Sequence, residues 1–230
     1  MIPLYDRAAH DRVTDANTAL VMINLLILPL EYITNFDGVL HRLGLVPEFL
    51  IHPLSYANYD GLLVFATLIT SMFIHAGAFH VLLNMYVLMV FGPALEDYLG
   101  HVRYLLFYFI SGICAGLFAI YFAAGSMIPI VGASGAIAGV LGAHLILFPR
   151  ARLRTVLPLL VTLKFFDVPS IIYLMLWFGL QLLGAIRSAE AGASGGIAFA
   201  PHLAGFMFGM MLGPIMAWRP AARKRRVRPT

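Results

Sequence analysis

Three polar groups interrupt an otherwise apolar chain, and their residue types suit acyl-transfer chemistry. Ser134 sits in Gly132-Ala-Ser134-Gly135-Ala136, among residues too small to shield it. His202 opens the segment Pro201-His202-Leu-Ala-Gly205-Phe-Met-Phe-Gly209-Met-Met-Leu-Gly213. The third group is His75-Ala-Gly-Ala-Phe-His80-Val-Leu-Leu-Asn84. Serine plus histidine is the minimal nucleophile and base. An acidic third member would orient the imidazole, but Glu31, Glu96 and Asp97 fall at unsuitable points of the chain. The residues therefore suggest a dyad of Ser134 and His202. Acyl transfer also needs donors for the oxyanion, and the Ser134 N–H, His80 and Asn84 are of the right type.

Each group also has a plainer reading. The serine motif partly matches the G-x-S-x-G nucleophile elbow, with Ala136 in the last glycine's place, but that motif needs a strand and a hydrolase sheet around it. Serine among small residues is more often a helix-packing residue, and Gly135 with Gly139 fits that use. Gly205, Gly209 and Gly213 form a small-residue stripe that lets another helix approach closely. His80 and Asn84, four apart on one helix face, could simply glue helices together. Zinc is a further use for His75, His80 and His202, since catalytic zinc commonly takes three protein ligands. No H-E-x-x-H is present, and a metal leaves Ser134 and Asn84 without a role. The dyad needs neither metal nor cofactor.

The elements that must position these groups are membrane helices. Of 230 residues, 61% are hydrophobic and 11% charged, and the mean hydropathy is +0.88. A soluble domain carries about 25% charged residues, so this chain cannot cover a water-facing surface. One cysteine, Cys114, excludes a disulfide scaffold. The expected fold is an all-α polytopic bundle of six transmembrane helices, at 17–33, 79–99, 102–124, 128–149, 170–186 and 201–218. The fourth helix is expected to start near Ser134. The first run is longer than a signal-peptide core and lacks a cleavage site, so it is read as retained. The apolar run 61–74 is too short to span and is assigned, with 49–59, to a long membrane-associated first loop of about 34–78. The stretch 155–166, broken by Pro158, reads as an interfacial loop. Segment 1–16 is a polar N-terminal piece, and 219–230 is a basic tail. That tail is a topology signal with some attraction for anionic lipid rather than a nucleic-acid site.

Six spans put all Lys and Arg except Arg42 and Arg187 on one side, which should be cytoplasmic together with both termini. The second, fourth and sixth helices then all start outside. His80 and Asn84, Ser134 and His202 all fall within first turns, at one depth. Polar groups placed for packing alone would scatter across depths. The fourth helix is short, so Ser134 should lie below the outer surface.

At this point the sequence resembles the rhomboid intramembrane serine proteases. Thr70-Ser-Met-Phe-Ile-His75 through Asn84-Met85, Phe91-Gly92-Pro-Ala-Leu-Glu96-Asp97-Tyr-Leu-Gly100-His-Val-Arg103, Gly132-Ala-Ser134-Gly135, and His202-x-x-Gly205-x-x-x-Gly209 occur in that family's order. The resemblance covers about 63–218. It implies hydrolysis of peptide bonds in or near transmembrane segments of membrane-protein substrates within the lipid bilayer. It implies Ser134 as nucleophile, His202 as base, His80 and Asn84 as oxyanion donors, and His75, Gly132, Gly135 and Gly205 as structural neighbours. Trp177 and Phe178 would contribute to a lateral gate, with lipid-facing aromatics the equal alternative. Three positions depart from the family pattern. Ala138 stands where many members place an aromatic ring against the histidine, Val64-Phe65 replaces a Trp-Arg pair, and position 204 is alanine.

Ser71, His75, Asn84 and Gln181 are candidates for lining a wet cavity. An interhelical hydrogen bond is an equal reading for Gln181, and His144 reads as a helix contact. The competing functions are a catalytically inactive rhomboid-like protein that binds membrane segments, and a transporter. The inverted repeats and broken midplane helices of transporters are not seen in the sequence. A bacterial inner membrane is the expected location.

Overall fold

The computed structural model describes residues 2–6, 14–53, 61–158, 163–190 and 199–218. Nine helices occur among them: α1 (Asp15–Thr34), α2 (Phe36–Leu43), α3 (Pro47–Ile51), α4 (Gly61–Thr70), α5 (Ala78–Leu99), α6 (His101–Phe122), α7 (Ser134–Leu147), α8 (Ser170–Glu190) and α9 (Ala200–Ala217). Five of these, α1, α5, α6, α8 and α9, are long and apolar enough to cross a membrane. The tail 219–230 lies outside the described residues.

The sixth apolar helix, α7, is central. Every residue from Gly135 to His144 is buried, so α7 is wrapped by protein rather than lipid. Its 14 residues make about 21 Å of helix at 1.5 Å per residue, short of a ~30 Å hydrocarbon core. A helix hydrophobic all round and packed on all sides has no amphipathic face to show.

The helix ends remote from Ser134 are held by polar contacts. The Glu96 carboxylate, at the end of α5, accepts the Ala16 N–H (2.9 Å) and the Asn17 N–H (2.7 Å). It thereby caps the N-terminus of α1, where carboxylates are favoured. Tyr104 Oη–H donates to Asn17 Oδ1 (2.6 Å). Gly92 leaves room for that pair, since a Cβ there would overlap the Asn17 amide. Glu96, unsuited to the catalytic chemistry, is thus a helix cap.

The chain is mostly helical, but the expectation of an all-α fold needs correction. A three-stranded antiparallel sheet, ordered β1-β2-β3, is built from β1 (Ile2–Asp6), β2 (Arg152–Pro158) and β3 (Leu163–Pro169). Within the stretch 155–166, residues 155–158 and 163–166 are therefore strand rather than interfacial loop, residues 159–162 lie outside the described residues, and β1 belongs to the N-terminal segment 1–16. The register pairs Ile2 with Val156, Asp6 with Leu153, and Arg154 with Asp167. Leu153 and Thr155 are buried between the outward Arg152 and Arg154, the two-residue alternation of a half-buried strand. Asp6 pairs with His144 near the C-terminal end of α7, Tyr86 on α5 donates to the Pro3 carbonyl, and Tyr173 on α8 donates to Thr155 Oγ1 (3.2 Å). The sheet ties three helices together at one end.

The first loop forms α2, α3 and α4, and α4 at ten residues is too short to span, as expected for 61–74. Residues 54–60 of the 49–59 stretch lie outside the described residues. The loop is bonded to the α6–α7 connection: Leu45 and Ile130 exchange both backbone bonds (2.9 and 2.8 Å), and Glu48 N–H donates to Ser126 O (3.1 Å).

Candidate active site

Ser134 is the first residue of α7, and the chain before it is shaped by the first loop. Gly132 has φ +114°, a left-handed conformation that glycine alone adopts freely. A Cβ there would also lie 2.9 Å from His80 Cε1. Gly132 N–H donates to Ser71 O (2.9 Å), and Ala133 N–H donates to His75 Nε2 (3.4 Å). His75 N–H in turn donates to Glu31 Oε1 on α1 (3.3 Å). His75 is 1% exposed, and its burial holds the imidazole pKa down to about 4. It is therefore neutral near pH 7 and can accept. His75 stands one step behind the serine as a structural anchor of the loop.

His202 is delivered by the close approach of α9 to α7. A Cβ on Gly205 would overlap the Gly135 carbonyl oxygen, and one on Gly209 would overlap that of Gly139. A Cβ on Gly142, from the other side, would overlap the Phe206 carbonyl. The two helices touch backbone to backbone, which a glycine stripe permits. Ala138 is fully buried on the same face, and its Cβ lies 3.2 Å from where a Gly205 Cβ would sit. Across this seam His202 Nε2 lies 2.8 Å from Ser134 Oγ. The other ring nitrogen, Nδ1, lies 2.8 Å from Gln181 Oε1 on α8.

His80 and Asn84 face the same point from α5. The position of a Gly132 Cβ would be 3.0 Å from His80 Nε2 and 3.5 Å from Asn84 Nδ2. Asn84 Nδ2 is buried and has no hydrogen-bond partner among the described residues. A buried donor is costly to leave unpaired, and this amide is free to donate to an acceptor placed beside it. The first-turn N–H groups of α7 are orphan donors of the same kind. A cavity of about 290 Å³ opens beside Ser134, lined by Ser71, His80, Gly132, Ser134, Pro201 and His202 among others.

The residues singled out in the sequence thus come together around Ser134, with Gly135 and Gly205 forming the seam beneath. The three histidines do not converge as a metal site. His75 and His80 stand edge to face at 5.1 Å, whereas His202 directs both nitrogens elsewhere. Among the described residues no group of three His, Cys, Asp or Glu is placed to hold a metal ion. Sequence reasoning undervalued two residues of α8. Gln181 bonds His202, and the Trp177 ring centroid is 6.0 Å from that of His202. A lone glutamine inside an apolar helix was the available signal for the first.

Known proteins match in the same region. A family model described as the Rhomboid domain matches residues 64–219. Rhomboid protein 1, mitochondrial, of Saccharomyces cerevisiae is 31% identical over 154 residues, 64% of this chain and 40% of its own length. The putative rhomboid protease YdcA of Bacillus subtilis is 44% identical over 78 residues, 34% of this chain and 39% of its own. Inactive RHOMBOID-like protein 8 of Arabidopsis thaliana is 36% identical over 78 residues, 34% of this chain and 22% of its own. The chain thus matches less than half the length of these relatives. They are mitochondrial, bacterial and plant proteins, so the comparisons give no ground for the bacterial inner membrane expected from the sequence. With apolar membrane-length helices around a domain match covering more than half of its length, this chain is an integral membrane protein of the rhomboid family.

Proposed function

We propose that this protein is an intramembrane serine endopeptidase working through a Ser134–His202 dyad. The observation that carries the reading is the 2.8 Å approach of His202 Nε2 to Ser134 Oγ across the α7–α9 seam. The hydroxyl proton passes to Nε2 as Oγ bonds the scissile carbonyl carbon. The oxyanion is met by His80, Asn84 and the N–H groups that open α7. Collapse breaks the C–N bond, and the proton on Nε2 goes to the leaving amine. Water, activated by the same imidazole, then releases the acyl group and restores the serine.

The substrates are transmembrane segments of membrane proteins. The membrane domain runs over 17–218 with six crossings, α7 being the fourth in chain order and the shortest. Its basic side faces the cytoplasm, and the segment 1–16 and the tail 219–230 lie there. With Ser134 below the outer surface, the 290 Å³ cavity admits water from that side. The alternative is a catalytically inactive rhomboid-like protein that binds such segments; one relative bears an inactive description. The test is cleavage of a model transmembrane substrate by purified protein in proteoliposomes. The proposal expects cleavage by the native chain and none by Ser134→Ala. Binding without cleavage by the native chain would favour the inactive alternative.

A further inference from the structure

Gln181 and Trp177 lie four residues apart on α8, so both project from one face, and that face meets His202. The Gln181 Oε1 to His202 Nδ1 distance is 2.8 Å. The Trp177 ring is tilted 45° to the imidazole and also packs at 5.9 Å on Phe206, one turn further along α9. Phe178 packs on the same Phe206, its ring tilted 32° at 4.8 Å. We propose that Gln181 and Trp177 are positioning residues for His202. Gln181 would hold the ring proton on Nδ1, so that the Nε2 lone pair faces Ser134, and Trp177 would keep the ring from rotating away.

A neutral imidazole has two tautomers, and only the one protonated on Nδ1 can take a proton at Nε2. An amide oxygen bonded to Nδ1–H selects that tautomer. In serine hydrolases a carboxylate does this work. A carboxylate inside a membrane helix is expensive, whereas an amide offers the same acceptor without the charge. That accounts for a site in which no carboxylate bonds His202: Glu31 receives the His75 N–H, and Glu96 caps α1 at the far end of α5. The ring must also be supported on one side. Ala138, fully buried against α9, has no ring to offer, whereas Trp177 on the neighbouring helix does.

This inference rests on the dyad reading, and two measurements separate their fates. The first is the ¹⁵N spectrum of histidine-labelled full-length protein in detergent, with His202 assigned by its loss in His202→Ala. The native chain is expected to show His202 protonated on Nδ1, and Gln181→Leu to show a tautomer mixture. The second is steady-state cleavage of a model transmembrane substrate. Gln181→Leu is expected to lower kcat by about 10²-fold, the scale of a misplaced reacting group, with KM little changed. Gln181→Glu, which keeps an acceptor, should recover most of that loss. Trp177→Ala should lower kcat by a smaller factor, and Trp177→Phe should recover most of it. Melting temperatures recorded alongside confine each comparison to folded protein. A folded Gln181→Leu variant with the native tautomer and native kcat would overturn the assignment. So would a loss confined to KM, or one that Gln181→Glu does not recover. If the native chain cleaves nothing, the dyad reading fails, and the tautomer comparison still decides whether Gln181 fixes the imidazole.

Discussion

Helix α9 meets α7 and α8 in contrasting ways. Toward α7 its glycines press on carbonyl oxygens, leaving no room for a side chain at Gly205 or Gly209. Toward α8 the described contacts are rings and one amide. Only 11% of the α8 span is buried, against 39% of the α9 span. The pressed seam fixes the distance between Ser134 and His202, because neither helix can slide without backbone collision. In the proposed account, the looser contact sets which way the imidazole faces. Distance and orientation, the two requirements of the proposed dyad, would then fall to different helix pairs.

The largest effect should follow from removing the chemistry that the seam delivers. Ser134→Ala or His202→Ala should each abolish cleavage while leaving the melting temperature near native, because the two act as a unit. Substantial cleavage by folded Ser134→Ala protein would separate the seam from the chemistry. Next come the donors opposite the seam. Asn84→Ala is expected to lower kcat by about 10²–10³-fold, as for one oxyanion donor, and the double variant His80→Ala/Asn84→Ala should approach the inactivity of Ser134→Ala. If Asn84 merely glued helices, the melting temperature would fall and kcat per folded molecule would hold.

Two glycine substitutions test the contrast itself. Gly209→Leu drives a side chain into the Gly139 backbone. It should cost at least the ~1–3 kcal/mol typical of overpacking, with a lower melting temperature and a weakened dyad in what remains folded. Gly179→Ala on α8 meets nothing within 4 Å and should leave cleavage native. It should raise stability by up to about 1 kcal/mol, the helix-propensity difference between the residues. Equal responses at Gly209 and Gly179 would erase the distinction between the two helix pairs.

The helices and the polar residues that gather around Ser134 were legible in the sequence because both leave local marks. Spans 170–186 and 201–218 coincide with α8 and α9 to within a few residues, since an apolar run long enough to cross a bilayer has few other fates. Ser134 and His202 stood out because polar groups in apolar helices are rare. The sheet was less legible: β1 pairs at a distance, Ile2 joining Val156, and only the β2–β3 pairing is local. Within β2, the alternation of Arg152, Leu153, Arg154 and Thr155 was a usable signal, obscured by Pro158 and the apolar run beyond it. The tasks of Glu96 and Asp6 were equally hidden. Each partners a group far away in the chain, the α1 N-terminus or His144, and nothing local in either residue's surroundings specifies that partner. Gln181 was visible as an oddity, but its partner was fixed only by how α8 leans on α9.

The most direct test of the central claim is covalent labelling of Ser134 by a fluorophosphonate. Purified protein in detergent is treated with the probe, digested, and the modified residue located by mass spectrometry, with a chelator present in a parallel sample. The account predicts a label on Ser134 that is unaffected by the chelator and lost in folded His202→Ala protein. A Ser134 that stays unlabelled in folded native protein, or one labelled equally well without His202, would contradict the dyad.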